Sequence, residues 1–205
     1  MSHKKTQIIL FFFSLCFVGV LNSCLITEFD SPPEKAPPII NSLPDSLSPY
    51  CIQLETPEKD SSFHGIASAL AYKNTNEIPL TYWRDSLTVL VYLKAPGAPC
   101  LRILKELKTF SEEFKVSHPN IHIQIITLAF SQSDTSILDQ YIEESETPFP
   151  VFIDQSNEFY HYYGTGYVPL LMVFDTYGQA FRITTYENRM GILQSLLELL
   201  TNNNQ

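Results

Sequence analysis

Residues Leu87 to Leu93 read LTVLVYL, a nearly unbroken apolar run. A strand with one wet face alternates polar and apolar residues, so a run of this kind belongs to a strand covered on both sides. The next segment is equally telling. A short loop rich in Pro and Gly leads to Pro99, which suits the first residue of a helix because no hydrogen-bond donor is needed there. Leu101, Leu104, Leu107, Phe110 and Phe114 then recur at helical spacing until His118-Pro119 stops them.

The rest of the chain continues that alternation. Ile121 to Leu128 is a second buried strand, and Ser133 or Asp134 can cap a helix carrying Ile137, Leu138, Tyr141 and Ile142. Val151 to Asp154 is short and strand-like. Leu170 to Asp175 and Gln179 to Thr185 flank Thr176-Tyr177-Gly178 as a hairpin, and Met190 to Leu200 closes the chain as an amphipathic helix. Upstream, Ile66 to Tyr72 and Glu77 to Tyr82 read as a hairpin about Asn74-Thr75-Asn76. The order β-β, β-α-β-α, β-β-α implies an α/β fold with a mixed central sheet and helices on both faces.

The N-terminus bears on location. Lys4 and Lys5 precede an apolar stretch from Ile8 to Leu21, long enough for an export signal and short for a membrane span of about 20 residues. It ends in Leu21-Asn22-Ser23-Cys24, which resembles the lipobox of bacterial lipoproteins. That resemblance implies cleavage before Cys24 and acylation of its thiol, giving an exported protein anchored in the cell envelope by lipid. An ordinary signal peptide with a chance cysteine, or a short membrane anchor, are the alternatives. Residues 1–23 are thus expected to be a signal peptide. Residues 24–60 contain seven prolines and read as an extended spacer, and 61–205 as the folded domain. Removing residues 1–23 takes away two lysines and no acid, leaving 182 residues with a net charge of −11. Such acidity argues against a nucleic-acid partner and against an electrostatic grip on anionic lipid.

Four segments carry a family resemblance. Tyr92 to Cys100 (YLKAPGAPC) resembles the aromatic-Cys-x-Pro-Cys segment of thioredoxin-like proteins. Phe149-Pro150-Val151-Phe152-Ile153-Asp154 is similar to a strand of the exported thiol–disulfide reductases and redoxins (the alkyl hydroperoxide reductase and thiol-specific antioxidant type). Tyr167-Val168-Pro169 resembles their cis-proline segment, which implies a cis bond before Pro169. Asp175-Thr176-Tyr177-Gly178 resembles the Asp-x-x-Gly hairpin found after it in the family. In this order they cover residues 77 to 201 and imply a thioredoxin-like fold.

The resemblance also marks a loss. Disulfide exchange needs a thiolate to attack and a second thiol to release the mixed disulfide. Gly97 stands at the attacking position, and only Cys100, the resolving position in disulfide reductases, remains. A two-thiol cycle within Gly97–Cys100 is excluded. Three readings of Cys100 stay open: a buried space-filling thiol, a peroxide-reactive thiol, or a disulfide partner of Cys51. The second would follow the peroxiredoxin motif Pro-x-x-x-Thr-x-x-Cys. Here, however, Leu93 and Gly97 replace its proline and threonine, Leu170 and Leu171 replace the arginine region, and Arg102 lies on the helix. The tyrosine-rich segment Phe159 to Tyr167 reads as the loop before Pro169 and is expected near Gly97, either as core or as a surface at Pro169 and Tyr167 for an envelope protein or peptide. No histidine pair has ligand spacing, so neither a metal nor a cofactor is expected.

One outcome tests the N-terminal reading directly. Cells given a labelled fatty acid should lipidate the wild-type protein, and Cys24→Ser should lose the label while still being exported. Label retained on the variant would place the anchor elsewhere.

Overall fold

The computed structural model describes residues 43–54, 69–75 and 86–202. The expectations for the signal segment, Cys24 and the second arm of the early hairpin (Glu77 to Tyr82) fall outside them. The described residues belong to one compact unit. Its elements are β1 (Cys51–Gln53), β2 (Leu70–Lys73), β3 (Leu87–Leu93), α1 (Ala98–Ser117), β4 (Ile123–Phe130), α2 (Thr135–Ser145), β5 (Val151–Asp154), α3 (Glu158–Tyr163), β6 (Leu170–Phe174), β7 (Ala180–Ile183) and α4 (Arg189–Asn202).

The strands form one mixed sheet in the order β1-β7-β6-β3-β4-β5-β2. β3 lies at its centre with every residue buried, parallel to β4 and antiparallel to β6. The unbroken apolar run is thereby explained, since odd and even positions both need cover. Val89, Val91 and Leu93 face one core with α1, α2 and α4, while Leu90 and Tyr92 face the other with Phe159 and Tyr163 of α3.

Two local signals work as their chemistry predicts. Asp134 caps α2, its Oδ1 accepting from the Ser136 and Ile137 amides at 2.9 and 3.3 Å. Asp175 Oδ1 accepts from Tyr177 and Gln179 amides at 2.8 and 2.7 Å, and Gly178 takes φ +82 to close the turn between β6 and β7.

Two expectations need correcting. The spacer was expected to run to residue 60, yet residues 43–54 are folded onto the sheet. Leu47 and Cys51 are each 3% exposed, and β1 pairs antiparallel with β7 through Cys51↔Ile183, Ile52↔Arg182 and Gln53↔Phe181. Prolines bar a central strand, but Pro44 and Pro49 both precede a short edge strand and leave its ladder amides free to bond. The segment following Asp154 was expected to be a loop, yet it holds α3. Asp154 Oδ2 accepts from the Tyr160 amide at 3.1 Å and from the Tyr92 hydroxyl at 3.2 Å, supplying the cap that Asn157 does not. β2, for its part, pairs with β5, through Leu70↔Ile153 and Ala71↔Phe152.

If residues 43–54 are integral to the domain, Leu47→Ala should cost about 2–5 kcal/mol in chemical denaturation, the range for a core leucine truncation. A change below about 0.5 kcal/mol, the range of surface substitutions, would return this segment to the spacer.

Candidate functional site

The site grows from the C-terminal end of β3. Three hydrogen bonds pin the loop Lys94–Gly97 to the segment joining β4 to α2 and to α2 itself. The Ala95 amide donates to Ser133 Oγ (3.2 Å), the Asp134 amide donates to the Ala95 carbonyl (3.1 Å), and the Gly97 amide donates to Tyr141 Oη (2.7 Å). Both Ala95–Pro96 and Val168–Pro169 are cis peptides, the second at the bond singled out by the sequence. Gly97 is extended (φ −178) and forms the N-cap of α1 with no side chain to cap it, and Pro99 follows within the first turn.

Cys100 occupies the inner side of that turn. Its amide donates to the Gly97 carbonyl at 2.8 Å, and its side chain is 1% exposed. Burial pushes its thiol above the usual cysteine value, although the Lys94 backbone amide and the Arg189 charge both favour the thiolate. Desolvation therefore wins. A Cβ built on Gly97 would lie 3.5 Å from Cys100 Sγ and 3.0 Å from the Lys94 carbonyl oxygen, so position 97 is the place from which a second sulfur would reach the first.

Cys51 is a free thiol too, and the disulfide with Cys100 is not formed. The register explains why. Cys51 lies opposite Ile183, Ile183 opposite Leu171, and Leu171 opposite Val91. Three strand spacings of about 4.8 Å thus separate β1 from β3, whose end carries the Cys100 loop. Burial pushes the Cys51 thiol up to about 11.

Beside Pro169 the molecule opens into a groove of about 340 Å³. Ile103, Leu171 and Ile183 give it an apolar lining, and Tyr167, Tyr186 and Arg189 also face it. Tyr167 is 73% exposed. Neither Gly97 nor Cys100 is part of its wall. Arg189, the first residue of α4, is 5% exposed and its Nε donates to Glu106 Oε2 of α1 at 2.7 Å.

The structure divides the tyrosine-rich segment expected near Gly97. Phe159 and Tyr160 stack on Tyr92 at 5.5 Å, on the face of the sheet opposite Cys100, and only the stretch from Thr165 reaches the groove. Tyr141, read as a core residue of a helix, turns out to clamp the loop. Arg189 and Glu106 gave no signal, because 83 residues separate the pair.

These features are those of a thioredoxin-like fold, and solved structures agree. A putative thioredoxin from Neisseria meningitidis superposes with a TM-score of 0.53 at 14% identity, over 66% of this chain and 87% of that one. A putative thiol:disulfide interchange protein DsbE from Chlorobium tepidum gives 0.53 at 16% identity, over 64% and 91%. A secreted disulfide oxidoreductase of Mycobacterium tuberculosis gives 0.50 at 10% identity, over 64% and 97%. No protein-family model matches the chain. No curated protein matches it.

Burial of the Cys51 thiol makes a pH prediction. Its folded value of about 11 stands above the ordinary 9.0, so this contribution is complete below pH 9. Above pH 9 the unfolded chain releases the proton first, and stability falls as pH rises towards about 11, by at most about 1.4 kcal/mol per unit. Denaturation at pH 8 and pH 10.5 should show a steeper loss for wild type than for Cys51→Ala. Equal losses would mean the thiol is not held protonated.

Proposed function

We propose that this protein is an exported, lipid-anchored thioredoxin-like module that has lost dithiol exchange and binds an envelope protein or peptide in the groove beside Pro169. The observation that carries the reading is the state of Cys100: a lone thiol at 1% exposure, raised by burial, behind a glycine where the attacking sulfur would stand. A thiol held protonated and away from solvent is a poor nucleophile, because attack requires the thiolate. A groove of this size lies within the range that holds ligands. Export is supported by the N-terminal pattern ending at Cys24, and is in keeping with the secreted Mycobacterium tuberculosis neighbour. Among the described residues no helix is long and apolar enough to cross a membrane, so attachment would rest on the N-terminus.

The rival reading is a single-cysteine peroxidase or reductase using Cys100, and one experiment separates the two. Wild-type protein should neither reduce insulin disulfides nor consume hydroperoxide with a dithiol reductant. Gly97→Cys should form a 97–100 disulfide and gain insulin reduction, since the new Cβ lies within reach of Cys100 Sγ once the Lys94 carbonyl yields by a few tenths of an ångström. Peroxide turnover by wild type that Cys100→Ser abolishes would overturn the proposal. A folded Gly97→Cys variant with two free thiols under oxidising conditions would remove the assignment of Gly97.

A further inference from the structure

The groove beside Pro169 has an unusual charge for this chain. The protein carries a net charge of −9, yet among the described residues the groove wall contains Arg182 and Arg189 and no carboxylate. Arg189 is the more constrained of the two. It is only 5% exposed, and among the described residues its guanidinium makes one hydrogen bond, from Nε to Glu106. That bond uses one of five N–H donors and fixes the plane of the group. The four donors on Nη1 and Nη2 have no hydrogen-bond partner among the described residues, and the small exposed part of the side chain opens on the groove. Neither Nη atom is among the buried side-chain atoms left without a partner, so both reach solvent at the groove and can donate to whatever enters it.

The local charge selects what that is. Glu106 offsets Arg189, leaving about one positive charge from Arg182, whose Nη1 donates to the Tyr163 carbonyl at 3.2 Å. One negative charge balances this, whereas a dianionic phosphate would overshoot. A planar carboxylate also matches the geometry of a guanidinium fork. Beside it, Ile103, Leu171 and Ile183 offer apolar cover, and the exposed rings of Tyr167 and Tyr186 stand at the rim. We infer that the groove binds an extended peptide segment by a carboxylate seated on Arg189, with a neighbouring apolar side chain on the Ile103–Leu171–Ile183 surface. This inference rests on the binding-module reading above and names the chemistry of its ligand.

Fluorescein-labelled octapeptides of Ala, Val and Ser test it, read by anisotropy against the purified protein. One carries a central Glu, a second a central Gln, both amidated, and a third carries the Gln with a free C-terminal carboxylate. An acidic peptide should bind about tenfold tighter than the amidated Gln peptide, the size of one charge-assisted hydrogen bond. Which acidic peptide gains tells whether a side chain or a chain terminus supplies the carboxylate. Arg189→Gln should erase the gain, so that acidic and Gln peptides bind alike, with Arg189→Lys in between. In wild type alone the gain should shrink as salt rises from about 0.05 to 0.5 M, which keeps the test independent of whether a variant folds. Equal binding of all three peptides overturns the inference and leaves the groove as a binding site. Failure of all three to bind, in protein shown to be folded, overturns the binding-module reading itself.

Discussion

Burial of β3 on both faces is the constraint on which the site depends. Every residue from Leu87 to Leu93 is at most 5% exposed, held between a parallel neighbour and an antiparallel one. Such a strand cannot slip, because a one-residue shift would exchange the two cores that Val91 and Tyr92 serve. Its end is therefore a fixed point. The Ala95 and Gly97 backbone bonds to Ser133, Asp134 and Tyr141 extend that rigidity into the loop, so α1 starts in one place and Cys100 is delivered inward. The position of the sulfur is a consequence of sheet packing rather than of any interaction the sulfur makes.

At that position two electrostatic effects compete. The first turn of a helix and the Arg189 charge favour a thiolate, while burial in the core denies it water. The outcome is a raised thiol, so desolvation exceeds what one backbone amide and one partly neutralised arginine return. Cys51 shows the same effect without opposition, since burial alone raises it. The two cysteines therefore behave as small apolar core residues, each filling its own place on the helix-covered side of the sheet.

What the sequence disclosed and what it hid divide along sequence separation. The cap at Asp134 and the turn at Asp175 were legible because donor and acceptor lie within four residues. β3 and α1 were legible because their periods are strong. β1 was not: seven prolines between residues 32 and 57 suggested a spacer, and only the free edge of β7, more than 120 residues away, gives Cys51–Gln53 a partner. The helix α3 was missed for a related reason, its cap coming from Asp154 at the end of the preceding strand rather than from the usual position. At the site, the cis bond before Pro169 could be read from a local motif. The clamp of Tyr141 on Gly97 and the Glu106–Arg189 pair could not, because each joins residues brought together only by the fold.

The groove and the Cys100 sulfur are built from separate residues. The groove is walled by Pro169, Leu171 and Ile183 from the sheet end and by Ile103 and Arg189 from two helices that the Glu106 bond ties together. None of these depends on what occupies position 97, where a glycine leaves the backbone extended and unstrained. On the proposed reading, a glycine at position 97 would remove dithiol chemistry without loosening the surface. A thiol kept neutral by burial also makes little use of the nearby Arg189 charge. A cation fixed by Glu106, facing a groove with no acid among its described lining residues, attracts whatever anion enters. In the proposed arrangement that field would act on a ligand in the groove rather than on a nucleophile.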